Sequence, residues 1–244
     1  MPFQNDYRHM LDVVNNRRPE RLPSGLRTVA AVSAPLDLSA GADALERRDN
    51  RLYQRYFMRI LTAAYQRRHA AHHDLFPAGR EAGLRTVREY DDVITAPFGG
   101  YEGAAEYYAR SSAGPHLATI TLPTLVLSAA DDPMIPVGSV EHWPTGPKVR
   151  REITSTGGHV GFVARSTAPG WFWGAERALR FLEDEMGWNG VSSRLLHPRV
   201  RGSATQHSRT DPVRLDLRVL AQQRLQGRPD VLRYAFLAFG SGVD

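Results

Sequence analysis

Apolar positions along the chain recur at two different spacings, and the changes between them divide it into helices and strands. Residues 6 to 18, DYRHMLDVVNNRR, place Tyr7, Met10, Leu11 and Val14 on one helical face. A turn-rich PERLPSG follows. Within LRTVAAVSAPLDL the run Val29 to Val32 is continuously apolar, which predicts a strand covered on both faces in a parallel sheet. From Ala42 to about His73 the apolar residues Leu52, Tyr53, Tyr56, Phe57, Ile60, Leu61 and Ala64 return at threes and fours. That spacing predicts one long amphipathic helix or a broken pair.

A second helical region runs from Gly100 to about Ser111 and carries Tyr101, Ala105 and Tyr108. TLPTLVLSAADDPMIP predicts an apolar strand over Thr124 to Ala129, stopped by two aspartates and a proline. PKVRREITST is more polar and alternates, as an edge strand does. Trp171 to Trp188 reads as a closing helix with Ala178, Leu179 and Leu182 on one side. Three strands separated by helices give an α/β fold with about three parallel strands. After Trp188 the pattern stops. NGVSSRLLHPRVRGSATQHSRTDP has no period and reads as linker or disorder, so the chain divides into a domain at 1–188 and a tail at 189–244. Within the tail, residues 212 to 226 form a short helix at most, and the apolar LRYAFLAFG has no obvious neighbour.

Composition narrows the function classes. The 244 residues, 42% hydrophobic and 23% charged, are those of an ordinary globular protein. No stretch reaches the ~18 consecutive apolar residues of a membrane span, and MPFQNDYRHM lacks the apolar core of a secretory signal. The expectation is therefore a cytoplasmic protein with no membrane partner. The absence of cysteine excludes disulfides, thiolate metal sites and a cysteine nucleophile. Of the net charge of +5, all comes from the tail, where nine arginines face four aspartates; the preceding residues balance at 22 against 22. No aromatic–basic interleaving of the base-stacking kind occurs there, so nucleic acid is not an expected partner.

The chemistry-bearing positions lie at the ends of predicted strands, where ligands gather in open α/β sheets. Asp131 and Asp132 end one strand, and His159 follows the next, 27 residues after Asp132, in ITSTGGHVGFV. A carboxylate that orients an imidazole is the acid–base part of a Ser-His-Asp relay. Gly157 and Gly158 let the backbone turn sharply before the ring. A strand-end DDP also serves as a turn or cap, and a GGH as a surface turn; acid before base, each at a strand end, favours the relay. His69, His72, His73 and Asp74 cluster as metal ligands do, and His69 and His73 stand one helical turn apart. Ala70 occupies the place of the glutamate in H-E-x-x-H, and a solvated helix end explains the cluster better. The aromatics of YEGAAEYYAR read as helix packing rather than a stacking platform.

Five spaced blocks, AAVSAPLDL (30–38), NRLYQRYFMRIL (50–61), VREYDDVITAPFGGYEGAAEYYARSS (87–112), LPTLVLSAADDPMIP (122–136) and GGHVGF (157–162), resemble the YheT-like esterase branch of the α/β-hydrolase superfamily over about residues 24 to 186. The resemblance implies the C-terminal part of a hydrolase sheet, with the helices of about 42 to 112 as a cap over the substrate pocket. It implies Asp132 as the acid and His159 as the base, with Asp131 as the alternative acid. The reaction implied is hydrolysis of a small carboxylic ester through an acyl-enzyme, which needs no cofactor.

The nucleophile of such enzymes lies on G-x-S-x-G, a strained strand-to-helix turn. The resemblance puts that turn before the AAVSAP strand, where the only serine is Ser24 in LPSGL. Ser39 has Asp37 in place of the first glycine, and Ser112 has Arg110. No G-x-S-x-G occurs in the sequence. The expectation is a chain that is silent by itself: part of a truncated, split or misassigned frame, or a remnant that acts by binding a partner. The strand at 28–34 then becomes an open edge able to accept a complementing chain.

Overall fold

The computed structural model describes residues 26–162, residues 173–187 and a short strand at Leu237–Ala238. The helices predicted at 6–18 and 212–226, Ser24 and most of the tail lie outside these. Three parallel strands form the body of a four-stranded sheet: β1 (Val29–Val32), β2 (Thr124–Ala129) and β3 (Val149–Thr154), with β2 between the other two. Val29 lies opposite Thr124, which in turn faces Val149. The fourth strand, β4 (Leu237–Ala238), pairs in parallel with the other edge of β1 at Ala31 and Val32. The apolar end of the tail thus has a neighbour that its sequence alone did not indicate.

Burial follows position in the sheet. All six residues of β2 are buried, whereas β3, at the edge as expected, buries only Val149; its sequence alternates but its burial does not. β1 departs from expectation: it alternates, with Ala30 and Val32 buried and Val29 and Ala31 half-buried. Successive strand residues point to opposite faces, and the two faces are covered separately. Ala30, Val32, Leu125, Leu127 and Ala129 pack against Phe162 and against Ala178, Phe181 and Leu182 of the closing helix Trp173–Met186. On the other face, Val126 and Val149 meet Leu36, Leu117, Ile120, Ile135 and Val140. Each fully buried side chain of this size contributes about 1.5–3 kcal/mol.

Between β1 and β2 the chain builds the cap. The 42–73 pattern resolves as the broken pair: α1 (Leu38–Glu46) and α2 (Arg51–Ala71), joined by a turn of 3-10 helix at Arg48–Asn50. The Asp37 carboxylate caps α1 by accepting from Ala40 N at 3.0 Å. Asn50 fixes the break, donating from one amide nitrogen to the carbonyls of Ala44 (2.7 Å) and Pro133 (2.6 Å). α2 buries Gln54, Met58 and Tyr65, while Leu52, Tyr53 and Tyr56 of the expected apolar face stand exposed.

Two further helical turns, α3 (Val87–Tyr90) and α4 (Ala96–Gly99), fall within the helical cap that the resemblance implies over about 42–112, although the apolar spacing does not mark them. A π-helical turn at Asp91–Thr95 links them. Thr86 and Glu89 form a capping box at the start of α3. α5 (Ala104–Ser111) begins later than predicted, where Asp92 Oδ1 accepts from Ala104 N at 2.8 Å. After β2 come α6 (Gly138–Glu141) and, beyond β3, α7 (Trp173–Met186), which matches the predicted closing helix. Among the described residues no helix is long and apolar enough to cross a membrane.

Candidate active site

The carboxyl ends of β2 and β3 bring the two predicted site residues together. Asp132 stands three residues beyond the end of β2, with a side chain wholly removed from solvent. Its Oδ1 accepts from the backbone N–H groups of Met134 (2.9 Å) and Ile135 (3.0 Å), the local turn that aspartate favours after a strand. Oδ2 is left to face Nδ1 of His159 at 2.9 Å. The neighbouring carboxylate goes elsewhere: exposed Asp131 accepts from Gly158 N at 2.8 Å through Oδ1. The ring therefore meets Asp132, and Asp131 meets the turn that carries the ring.

The two glycines of that turn act for different reasons. Gly158 has φ +61, the left-handed region that glycine enters without penalty. At Gly157 the constraint is space, since a Cβ there would lie 2.7 Å from Phe162 Cδ1 and 3.0 Å from Ala129 Cβ. Phe162 is 3% exposed and is caught between this glycine and Gly174 of α7. Its N–H returns to Gly157 O at 2.8 Å, and its carbonyl accepts from Trp173 N at 3.0 Å. The histidine turn is thereby bolted to the face of the sheet covered by α7.

His159 keeps 16% of its side chain accessible. With Nδ1–H donating to the carboxylate, the lone pair lies on Nε2, the nitrogen that accepts a proton in general-base catalysis. This assigns the tautomer from the hydrogen-bond pattern.

Two residues that sequence reasoning missed support the pair. Ser33 ends β1 with φ +51; its hydroxyl donates to the carbonyl of His159, and its N–H donates to Leu127 O at 2.8 Å. Asn50 ties the cap to Pro133, the residue after Asp132. A polar residue just past an apolar strand was a visible signal for Ser33. Nothing local marked Asn50.

The remaining candidates lie apart from the pair. His69 Nδ1 is 2.7 Å from Phe76 O, and exposed His73 faces Asp74 at 3.3 Å. Among the described residues no group of three His, Asp or Glu side chains could hold a metal. Ser39 accepts from Arg88 at 3.4 Å, and Ser112 Oγ donates to Tyr108 O at 2.7 Å. The cap tyrosines pack on one another, with Tyr101 and Tyr108 each 5.4 Å from Tyr107 between ring centres. Tyr108 donates to Asp91 at 2.7 Å, and burial pushes the Asp91 carboxyl above its ordinary range despite that hydrogen bond. A cleft of about 330 Å³ between cap and core, lined by Asp37, Ser39, Arg88, Tyr108, Ser112 and Trp143, includes neither Asp132 nor His159.

Comparison with known proteins gives the arrangement a context. The chain is similar to a protein of Escherichia coli (strain K12) that carries the name esterase YheT, at 39% identity over 137 residues; these are 54% of this chain and 40% of that protein. It is 35% identical over 115 residues to the monoacylglycerol lipase of Saccharomyces cerevisiae, 44% of this chain and 24% of the relative. Human phospholipase ABHD3 matches at 33% over 81 residues, 32% of this chain and 20% of that protein. The chain thus spans well under half the length of each of these relatives. No family model matches it, and no solved structure matches it.

Proposed function

We propose that this chain, which matches esterases and lipases of the α/β-hydrolase superfamily over about half its length, carries the acid and base of an ester-hydrolysing relay whose attacking hydroxyl comes from another segment. The observation that carries the reading is the Asp132–His159 contact at 2.9 Å, with the carboxylate buried and anchored by two backbone N–H groups. His159 would draw the proton from the incoming hydroxyl and later return it to the leaving alcohol, while Asp132 holds the tautomer and stabilises the imidazolium. The substrate class is a small carboxylic ester, and no cofactor enters such a relay. Because G-x-S-x-G is absent from the sequence, the chain by itself is expected to be silent. A missing relay serine costs about 10⁶ in turnover in a well-studied protease.

The test offers the purified chain p-nitrophenyl butyrate and a fluorophosphonate probe, beside His159→Ala. The same assays follow co-expression with the part of the E. coli relative that lies outside the match. Silence alone, and labelling on complementation that His159→Ala abolishes, is the expected result. Labelling of this chain itself would mean that the nucleophile lies within it.

One observation favours a second reading, a catalytically inactive chain that acts through a partner. Among the described residues β4 pairs with the outer edge of β1 at Ala31 and Val32 alone, a two-residue pairing that a longer complementing strand would displace. Failure of complementation together with stable association of the two chains would favour it.

A further inference from the structure

We infer that Ser33 is a positioning residue for His159, acting through the histidine's carbonyl rather than its ring. The inference rests on Asp132 and His159 forming the acid–base pair. Among the described residues the His159 turn is held at three points, by the carboxyl ends of two neighbouring strands. Asp132, after β2, takes the ring; Asp131, beside it, takes Gly158 N; Ser33, at the end of β1, takes the His159 carbonyl. β1 and β2 are themselves locked together at this level by Ser33 N and Leu127 O. The hydroxyl therefore sits on a rigid strand end, and it fixes the backbone from which the imidazole projects.

Two features separate this role from the alternatives. Ser33 is 0% exposed, so no ester carbon can reach its oxygen, and the hydroxyl proton is committed to a carbonyl. This argues against Ser33 as a hidden nucleophile. Its φ of +51 is uncommon for any residue but glycine. Backbone preference alone would place glycine or asparagine here, and the hydroxyl supplies the reason for serine.

The experiment follows the Nδ1–H proton of His159 by nuclear magnetic resonance in the full chain with nitrogen-labelled histidine, and needs no catalytic turnover. In the wild type the proton is expected far downfield and slow to exchange with water, and Asp132→Asn should abolish it by reversing the tautomer. Ser33→Ala and Ser33→Gly should each speed its exchange about tenfold, the scale of one lost hydrogen bond. Glycine accepts φ +51 freely, so it removes the hydroxyl without adding strain. Faster exchange in both variants supports the proposal. A change in alanine alone would trace the effect to backbone conformation and overturn it, as would no change in either. A wild-type signal that is absent or indifferent to Asp132→Asn removes the pair itself, and the proposal with it; that failure is recognised without any Ser33 variant.

Discussion

Asp132 does two jobs with two oxygens, and substitution can separate them. In Asp132→Ala, the N–H groups of Met134 and Ile135 lose the acceptor that they hold at 2.9 and 3.0 Å. Ile135 is 5% exposed, so its N–H finds no water, whereas Met134 is half-buried and regains some. A buried donor left unmatched costs about 1–3 kcal/mol, which puts the loss for this pair at roughly 2–4 kcal/mol. In Asp132→Asn the side-chain oxygen still serves both N–H groups, and the new amide faces the imidazole, which answers by carrying its proton on Nε2. The expected stability loss is below about 1 kcal/mol. For a domain of this size each kcal/mol moves the midpoint about 2–4 °C, so alanine should lower it by roughly 4–16 °C and asparagine by less than about 4 °C. Thermal unfolding followed by circular dichroism reads both. Equal losses would show that the ring contact, not the backbone turn, carries the stability of Asp132; an alanine variant as stable as the wild type would refute the account altogether.

The remaining predictions concern the supports around the pair. Gly157→Ala forces a Cβ to within 2.7 Å of the Phe162 ring and should cost about 1–3 kcal/mol in urea unfolding, whereas the same substitution made in a Phe162→Ala background should cost little beyond what the lost ring already costs. Asn50→Asp sets a carboxylate against the carbonyls of Ala44 and Pro133, with an expected loss above about 2 kcal/mol at neutral pH that shrinks in acid, where a protonated carboxyl donates again. Burial pushes the Tyr90 phenol up to about 12, so its contribution is intact below its ordinary value near 10 and is lost as pH rises through about 12. Tyr90→Phe should flatten that alkaline decline, with phenolate absorbance as the readout; an unchanged slope would assign the decline to other groups.

What could be read from the sequence divides along a physical line. Continuous apolar runs and alternation are local properties, and they located β1, β2 and β3 within a residue or two. Asp132 and His159 were visible because they end two such strands. The pattern of α2 misled, since Gln54 is buried while Leu52 is 76% exposed; the helix turns toward the cap interior a different face from the one its apolar residues suggest. The sequence marks Gly157 as a turn residue, yet its constraint is the nearby Phe162 ring, which leaves no room for a Cβ and which no window of sequence displays. The division of labour between Asp131 and Asp132 was equally hidden, because adjacent side chains at a strand end point apart and only their partners tell them apart.

The sources of the pair's geometry bear on how this chain relates to longer relatives. Among the described residues, the groups that fix His159 come from residues 33 to 174: the ends of β1 and β2, the turn after β3, and the Phe162 ring set between Gly157 and Gly174. None of these contacts passes through β4 or through the outer edge of β1. A longer strand that displaced β4 from that edge would bring its own carboxyl end to the side of the sheet where Nε2 of His159 carries its lone pair, since parallel strands end on one side. On the proposed reading the acid–base half is in place before a hydroxyl arrives, and completing the relay is a question of strand pairing.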